Sequence, residues 1–159
     1  RTCEAVIVDT RHNGGGWLHD DLATLLDGQG YIRFEPRGQY IGTEPYNKWT
    51  KPSCVLIGED NYSDACGFPY VYKTLGIGKL IGAPVPGTMT AVWWENQIDP
   101  SIVFGIPQVG AIGVKEGRYL ENMQIEPDIL VYNDPASVLR GEDRQLEAAV
   151  KEMLKTIEK

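Results

Sequence analysis

Twice in this chain, a short apolar run ends in a polar loop, and a segment with helical periodicity follows at once. The apolar runs lie at residues 5–8 and 54–57, and the helical segments lie at residues 17–26 and 63–75. Continuous apolar runs of this length are typical of strands that are buried on both faces. Strands that alternate with helices pair in parallel through right-handed βαβ units. The sequence therefore predicts an α/β domain with a mostly parallel sheet and flanking helices.

The other elements are predicted from shorter patterns, and together they fill one domain. At 159 residues, 42% of them hydrophobic and 23% charged, the chain has the size and composition of a single globular unit. Apolar residues at helical spacing predict a closing amphipathic helix at 143–159. Further strands are predicted at 31–34, 39–42, 79–82, 90–94, 102–106 and 109–114, and the sheet region is predicted to end at 131–133.

The charge balance argues against two classes of partner. The chain has 15 basic and 22 acidic residues, so its formal net charge is −7. Nucleic acids and anionic membrane surfaces are bound through basic patches, and we therefore expect neither as a partner. A bilayer-spanning helix needs roughly 20 consecutive apolar residues, and the sequence contains no such run.

The cysteines suggest packing and not metal binding. Cys3, Cys54 and Cys66 form no CxxC pair and have no histidine at the spacing of a zinc site. Free cysteine is among the most buried residue types, so all three are expected to be small buried apolar residues. The cysteine pattern therefore predicts no zinc site.

Three successive glycines, Gly14, Gly15 and Gly16, stand in the first loop. Without Cβ atoms, their N–H groups can approach a ligand closely and suit an anion or a developing oxyanion. A dinucleotide fingerprint would need a glycine where His19 stands, and a phosphate loop would need Lys followed by Ser or Thr. Nucleotide binding is therefore disfavoured, and a tight strand-to-helix turn without a ligand stays the plain alternative.

The second loop leads to Ser63, at the predicted start of a helix. A hydroxyl there lies at the positive end of the helix dipole, and the N–H of Asp64 has no partner within the helix. Ser63 is thus a candidate nucleophile with part of an oxyanion hole beside it, although ordinary N-capping would also favour serine. Glu121 is a further candidate that could orient a base or hold a substrate amine, and its alternative is a solvated loop acid.

Taken together in their order, these segments resemble a known family. Residues 9–16 resemble the D-x-R-x-N-x-G-G stretch of C-terminal processing and tricorn-type serine peptidases, family S41. Residues 61–65 are similar to the nucleophile segment of the tricorn type, in which Asp follows Ser. Residues 75–82, 120–128 and 141–146 are similar to later parts of the same pattern. The resemblance covers most of the chain.

The resemblance implies a fold and a set of roles. The fold would be the αββ-spiral of ClpP-like and crotonase-like proteins, present here as the C-terminal catalytic subdomain of a tricorn core. Ser63 would attack the peptide carbonyl. The amides of Asp64 and of Gly15 or Gly16, with Gly16 favoured, would form the oxyanion hole. Glu121 would stand in for the family's catalytic glutamate, which hydrogen-bonds the serine of a Ser-His pair.

The chain departs from the family pattern at the general base. In the family, the Ser-His pair lies on an N-terminal subdomain that a PDZ-like domain separates from this part, and neither is present here. The C-terminal processing branch uses a lysine after the nucleophile, but residues 87–92 contain none and Lys79 belongs to a strand pattern. His12 and His19 are expected at exposed positions without a catalytic role. Residues 1–159 are therefore predicted to be one nucleophile-bearing subdomain, a fragment of a longer protease that is inactive alone.

The function implied by the resemblance is that of a serine endopeptidase that hydrolyses peptide bonds through an acyl-enzyme on Ser63. It implies no metal and no organic cofactor. Its partners would be unfolded peptides, held as an added strand, and the missing N-terminal part of the same protein. The resemblance to tricorn implies a cytoplasmic location; a periplasmic or exported location and a homo-oligomer stay open. Two alternatives also stay open: a non-catalytic peptide-binding scaffold of the same fold and a crotonase-like acyl-CoA enzyme.

Overall fold

The computed structural model describes residues 2–158, which form an α/β domain around one parallel sheet. In its first half the strands of this sheet alternate with helices, as predicted, although a separate two-stranded hairpin intervenes. In chain order the helices and strands are β1 (Val6–Asp9), α1 (His19–Leu26), β2 (Ile32–Phe34), β3 (Gly42–Glu44), β4 (Ser53–Ile57), α2 (Asp64–Leu75), β5 (Lys79–Gly82), β6 (Ala91–Asn96), β7 (Val103–Val109), β8 (Ile129–Leu130), α3 (Pro135–Leu139) and α4 (Arg144–Ile157).

The main sheet has four strands in the order β1-β4-β5-β8, and every neighbouring pair is parallel. All five residues of β4 are buried, because this strand lies inside the sheet with packed elements on both faces. Val8 pairs with Val55, and Val55 pairs with Leu80, so the carboxyl ends of β1, β4 and β5 are aligned. The loops after β1 and β4 therefore leave the sheet at the same edge, which is where ligands bind in open parallel sheets.

Alternate residues of β4 supply two hydrophobic cores. Val55 and Ile57 pack in a cluster with residues of α1, α2 and β5. Cys54 and Leu56 point to the opposite face and pack against α4 through Ala149 and Met153. This alternation is the period of two that a strand imposes, and it explains why the run at 54–57 is apolar throughout.

Two antiparallel hairpins stand outside the sheet, β2 with β3 and β6 with β7. Their positions only partly match the predictions. The second strand of the first hairpin is Gly42–Glu44 and not 39–42, because a 3₁₀ turn at Pro36–Gly38 delays the chain's return. Across the described residues 2–158, no helix is long and apolar enough to span a bilayer.

Two other predictions about the second half of the chain are wrong. Residues 109–114 do not form a strand, because β7 ends at Val109 and Ile112 makes only an isolated bridge to Tyr119. A Cβ added at Gly110 would lie 2.7 Å from the Tyr119 ring, so a side chain does not fit at that position. The sheet region ends slightly before the predicted 131–133: its last strand is Ile129–Leu130, which pairs with β5, and the Val131 N–H still donates to the Gly82 carbonyl at 3.0 Å.

The prediction for the cysteines is partly wrong. Cys54 and Cys66 are buried, whereas Cys3 is exposed because it precedes the first strand and packs against neither core. Burial raises the pKa of the Cys54 thiol to about 11. A protonated, buried thiol of this kind is chemically inert and acts as packing.

Candidate active site

Ser63 occupies a sharp turn between β4 and α2. Its backbone has φ 53° and ψ −121°, a conformation that non-glycine residues rarely adopt. The Ser63 N–H donates to Thr88 Oγ1 at 3.0 Å, and this bond satisfies an amide that the turn would leave unpaired. The Ser63 side chain makes no capping hydrogen bond to α2, which argues against an N-cap as its role. Within residues 2–158 its hydroxyl has no hydrogen-bond partner and is therefore available to a ligand.

Asn61 holds the loop that precedes Ser63. Its side chain is almost fully buried, at 1% exposure, and both its amide oxygen and its amide nitrogen form hydrogen bonds. Oδ1 accepts the Gly58 N–H at 3.2 Å, while Nδ2 donates to Thr10 Oγ1 and to the Ala65 carbonyl, each at 2.9 Å. Because these bonds join the end of β1, the loop and the first turn of α2, they help to maintain the unfavourable backbone at Ser63.

The glycine loop lies directly against the start of α2. The Asn13 carbonyl accepts the Tyr62 N–H at 3.1 Å, and Asn13 Oδ1 accepts the Gly15 N–H at 2.7 Å. Gly15 has φ 104°, and a Cβ there would lie 2.7 Å from Ser63 Cβ and 3.0 Å from the Asp64 nitrogen. Only glycine fits at this position, because any side chain would collide with the serine turn.

Two backbone amides beside Ser63 have no partner among the described residues, those of Gly16 and Asp64. Both residues line a cavity of about 200 Å³ together with Ser63. Paired N–H groups that are unused and close to a nucleophile can donate to a developing oxyanion. The other lining residues are Trp17, His19, Met89, Ala91, Val109, Gly110 and Ala111.

Glu121 binds the two residues that follow Thr88, whose hydroxyl contacts Ser63. Glu121 Oε2 accepts hydrogen bonds from the Met89 N–H, the Thr90 N–H and Thr90 Oγ1, all at 2.8 Å. These contacts exclude a solvated loop acid, and they connect Glu121 to Ser63 through the adjoining Thr88. The other carboxylate oxygen, Oε1, has no hydrogen-bond partner in the part of the chain that the structure describes.

The two histidines differ in their surroundings. His12 pairs with Asp60 through Nδ1, and its side chain is 83% exposed. His19 lines the cavity beside Ser63, and its Nδ1 is bound to the Asp64 carboxylate. The expectation of an exposed position is therefore wrong for His19, whose side chain is 32% exposed. Neither ring is hydrogen-bonded to the Ser63 hydroxyl.

Lys79 does not reach the site. It begins β5 as the sequence predicts, and its Nζ donates to Glu152 of α4 at 2.5 Å. Among residues 2–158, no group of three or more His, Cys, Asp or Glu side chains could hold a metal ion.

Asp9, at the end of β1, and Arg11, in the loop that follows, have a structural role. The Arg11 guanidinium donates to both oxygens of Asp9, to both oxygens of Asp143 and to Gln145 Oε1, at 2.7–3.0 Å. These hydrogen bonds hold the pKa of the Asp143 carboxyl well below its usual range and also lower that of Asp9. The network fastens the end of β1 to the start of α4 and so fixes where the glycine loop begins.

Several residues of the site were not found from the sequence. Asn61, at 1% exposure, begins the matched segment 61–65, but that match assigned it no role. Thr88 and the Asp64 carboxylate act through contacts between separate segments, 25 and 45 residues apart along the chain. Asn13 lies within the matched D-x-R-x-N-x-G-G stretch, so its importance could have been inferred there.

Comparisons with solved structures identify the fold. The chain superimposes on the crystal structure of tricorn protease with a TM-score of 0.85 and 25% identity, over 98% of this chain and 15% of that one. A photosystem II C-terminal processing protease has the same fold, with a TM-score of 0.52 and 16% identity over 81% of this chain and 35% of its own. The α/β fold expected from the resemblance is confirmed.

Sequence comparisons then give the family. Tricorn proteases of Thermoplasma acidophilum and Thermoplasma volcanium are 25% and 27% identical over 154 residues, which is 97% of this chain. The chain spans only 14% and 15% of the length of these two curated relatives. The family model of peptidase family S41 matches residues 1–131. The chain belongs to peptidase family S41.

Proposed function

We propose that this chain is the nucleophile-bearing domain of a serine endopeptidase and that residues outside it supply the general base. The observation that carries the proposal is the backbone of Ser63, which is held in an unfavourable conformation beside two unused amides. Strain of this kind persists only where the surroundings impose it, and it clusters at functional sites. A capping serine would need no such turn.

The chemistry follows from these groups. Ser63 Oγ attacks the carbonyl carbon of a peptide bond while the base takes the hydroxyl proton, and the resulting oxyanion accepts N–H bonds from Gly16 and Asp64. Collapse of this intermediate transfers the proton to the departing amine and leaves an ester on Ser63, which water hydrolyses. Gly16 is preferred to Gly15 as an oxyanion donor because the Gly15 N–H already donates to Asn13 Oδ1.

Glu121 joins this domain to the part that carries the base. Its Oε2 holds the backbone of Met89 and Thr90, and we expect the free Oε1 to accept a hydrogen bond from the Ser-His pair of the N-terminal subdomain. The substrate would be an unfolded peptide that enters the cavity of about 200 Å³ beside Ser63. Residues 1–159 would then be one subdomain of a longer protease that also contains a PDZ-like domain.

A fluorophosphonate probe on the intact protein tests the nucleophile. We expect one labelled serine, and labelling should be lost in Ser63→Ala. It should be kept in the matched control Ser101→Ala, which changes an exposed serine in the turn between β6 and β7. The purified chain alone should not cleave fluorogenic peptides, and turnover should return when the N-terminal part is added. Labelling that persists in Ser63→Ala would refute the assignment. Peptide binding without any labelling would indicate the non-catalytic scaffold instead.

A further inference from the structure

The Asp64 carboxylate fastens the start of α1 to the start of α2. Its Oδ2 accepts the Leu18 N–H at 2.7 Å, and its Oδ1 is bound to His19 Nδ1. The carboxyl group is only 12% exposed, although it lies at the edge of the cavity beside Ser63. An acidic side chain at a helix start usually interacts with the N–H groups of its own helix. The Asp64 carboxylate begins α2 but binds the start of α1.

The pairing with Asp64 also determines that one particular nitrogen of the His19 ring carries a hydrogen. A carboxylate only accepts hydrogen bonds, so His19 Nδ1 must carry the hydrogen that joins the two groups. Within residues 2–158, the other ring nitrogen, Nε2, has no hydrogen-bond partner. The contact with Asp64 therefore uses Nδ1, and the substitutions of His19 described below test whether Nε2 has a separate role.

The loop between these contacts carries one of the proposed oxyanion donors. Before Gly16, the loop is held by Asn13, which accepts the Tyr62 N–H. After Gly16, it is held by the two bonds to the Asp64 side chain. Gly16 itself has φ 152° and no neighbour within 4 Å of where a Cβ would be. The space beside its Cα is therefore open, and the hydrogen bonds that hold this part of the loop are those on either side of Gly16.

We propose that the Asp64 carboxylate and the His19 ring are positioning residues that hold the Gly16 amide in the oxyanion hole. This inference rests on the function proposed above. The backbone of Asp64 supplies one donor, while its side chain fixes the loop that carries the other, so a single residue sets the spacing of the pair. Glycines do not hold such a geometry without external anchors, because their backbone is the least restricted of any residue.

Loss of the anchor affects the transition state more than substrate binding. Removal of an oxyanion donor typically lowers kcat by about 10²–10³-fold, and misplacement of a group by about 1 Å can cost about 10²-fold. For Asp64→Asn in the intact protease we expect kcat to fall by roughly 10- to 100-fold, with KM changed by less than about threefold. The matched control is Asp21→Asn, which removes an exposed acid from the first turn of α1 and should leave both constants unchanged.

A transition-state mimic separates positioning from a general loss of structure. A peptide aldehyde forms a tetrahedral adduct with a serine hydroxyl, whereas the corresponding peptide amide does not. In Asp64→Asn, the affinity for the aldehyde should fall by the same factor as kcat, while the affinity for the amide should stay constant. Equal loss for both ligands would overturn the inference.

Substitutions of His19 test whether its ring positions the loop or exchanges protons. In His19→Asn, the side-chain amide can still donate to Asp64, and kcat should stay within about threefold of the wild type. In His19→Leu, the donor is lost and kcat should fall as in Asp64→Asn. If both His19 variants are equally inactive, Nε2 takes part in the chemistry and the positioning role is wrong. This comparison also decides the matter if Asp64→Asn does not fold.

Ser63→Ala distinguishes a failure of this inference from a failure of the proposed function. Full turnover in Ser63→Ala would refute the serine peptidase itself. If Ser63→Ala is inactive while Asp64→Asn keeps the wild-type kcat and aldehyde affinity, the nucleophile assignment survives and only the positioning role is refuted.

Discussion

Replacement of Arg11 by leucine should destabilise the chain through the loss of one charge network. The guanidinium is only 12% exposed and joins Asp9, at the end of β1, to Asp143, which caps α4. Its hydrogen bonds to the two carboxylates and to Gln145 Oε1 span 2.7–3.0 Å. Arg11→Leu removes all of these bonds and leaves two neighbouring carboxylates without their shared partner.

The expected magnitude lies between two limits. An exposed ion pair contributes about 0–1 kcal/mol, whereas breaking a fully buried pair costs about 3–5 kcal/mol. Here the cation is buried, but the Asp9 and Asp143 side chains are 48% and 34% exposed, so water can solvate them in the variant. We therefore expect Arg11→Leu to lower the free energy of unfolding by about 2–3 kcal/mol. For a domain of this size, that corresponds to a fall in Tm of roughly 5–10 °C.

Urea unfolding of the chain, followed by tryptophan fluorescence and circular dichroism, measures this loss. The matched control is Arg140→Leu, which removes a bidentate pair with Glu142 whose side chains are 53% and 42% exposed. This control should lower the free energy of unfolding much less than Arg11→Leu, because water solvates both of its partners. Arg11→Lys should fall between the two, because lysine keeps the charge but lacks the planar fork that binds both carboxylates.

Equal losses in Arg11→Leu and Arg140→Leu would refute the reasoning, since burial of the guanidinium would then make no difference. Full stability in Arg11→Lys would show that charge alone matters and that the fork geometry does not. The slope of the urea transition should be the same in all variants, because a changed slope would mean that the folded or unfolded state itself had altered.

Three further outcomes follow from the same contacts. Because Arg11 depresses the pKa of Asp143, the network stabilises the fold above the ordinary Asp value of about 4, and the deficit of Arg11→Leu in urea should shrink as the pH falls below it. Gly15→Ala in the intact protease should abolish fluorophosphonate labelling, since its Cβ would lie 2.7 Å from that of Ser63; normal labelling would contradict the close approach. Thr88→Val should cost about 1–3 kcal/mol in urea by leaving the Ser63 N–H unpaired, whereas unchanged stability would show that water replaces the hydroxyl.

The buried part of the fold was predictable, because burial on both faces produces a distinct sequence pattern. Cys54 to Ile57 are apolar without interruption, since alternate residues enter two separate cores. The hairpin strands were placed less accurately, because both of their faces are largely exposed and neither imposes a strict alternation. α3 was missed, although Pro135 at its first turn and the Asp134 cap, which accepts the Ser137 N–H at 2.9 Å, are ordinary helix-start signals.

The candidate site was predictable by segment but not by contact. The sequence indicated Ser63, Asp64, Glu121 and the glycine loop as separate features. What joins them is long-range geometry, such as the Glu121 carboxylate, which holds the backbone of Thr90 across 31 residues of sequence. Pattern and spacing describe neighbours along one element, and they carry no information on which loops meet at the end of a sheet.

The contacts around Ser63 support the proposal that residues outside this chain supply the general base. Its potential bases are committed to other partners: His12 to Asp60, and Lys79 to Glu152 on α4. His19 is bound to Asp64 through one nitrogen and makes no hydrogen bond to the hydroxyl. A serine hydroxyl without an adjacent base is a weak nucleophile at neutral pH. Separation of the nucleophile from its base would keep this domain inactive until the rest of the protease is in place.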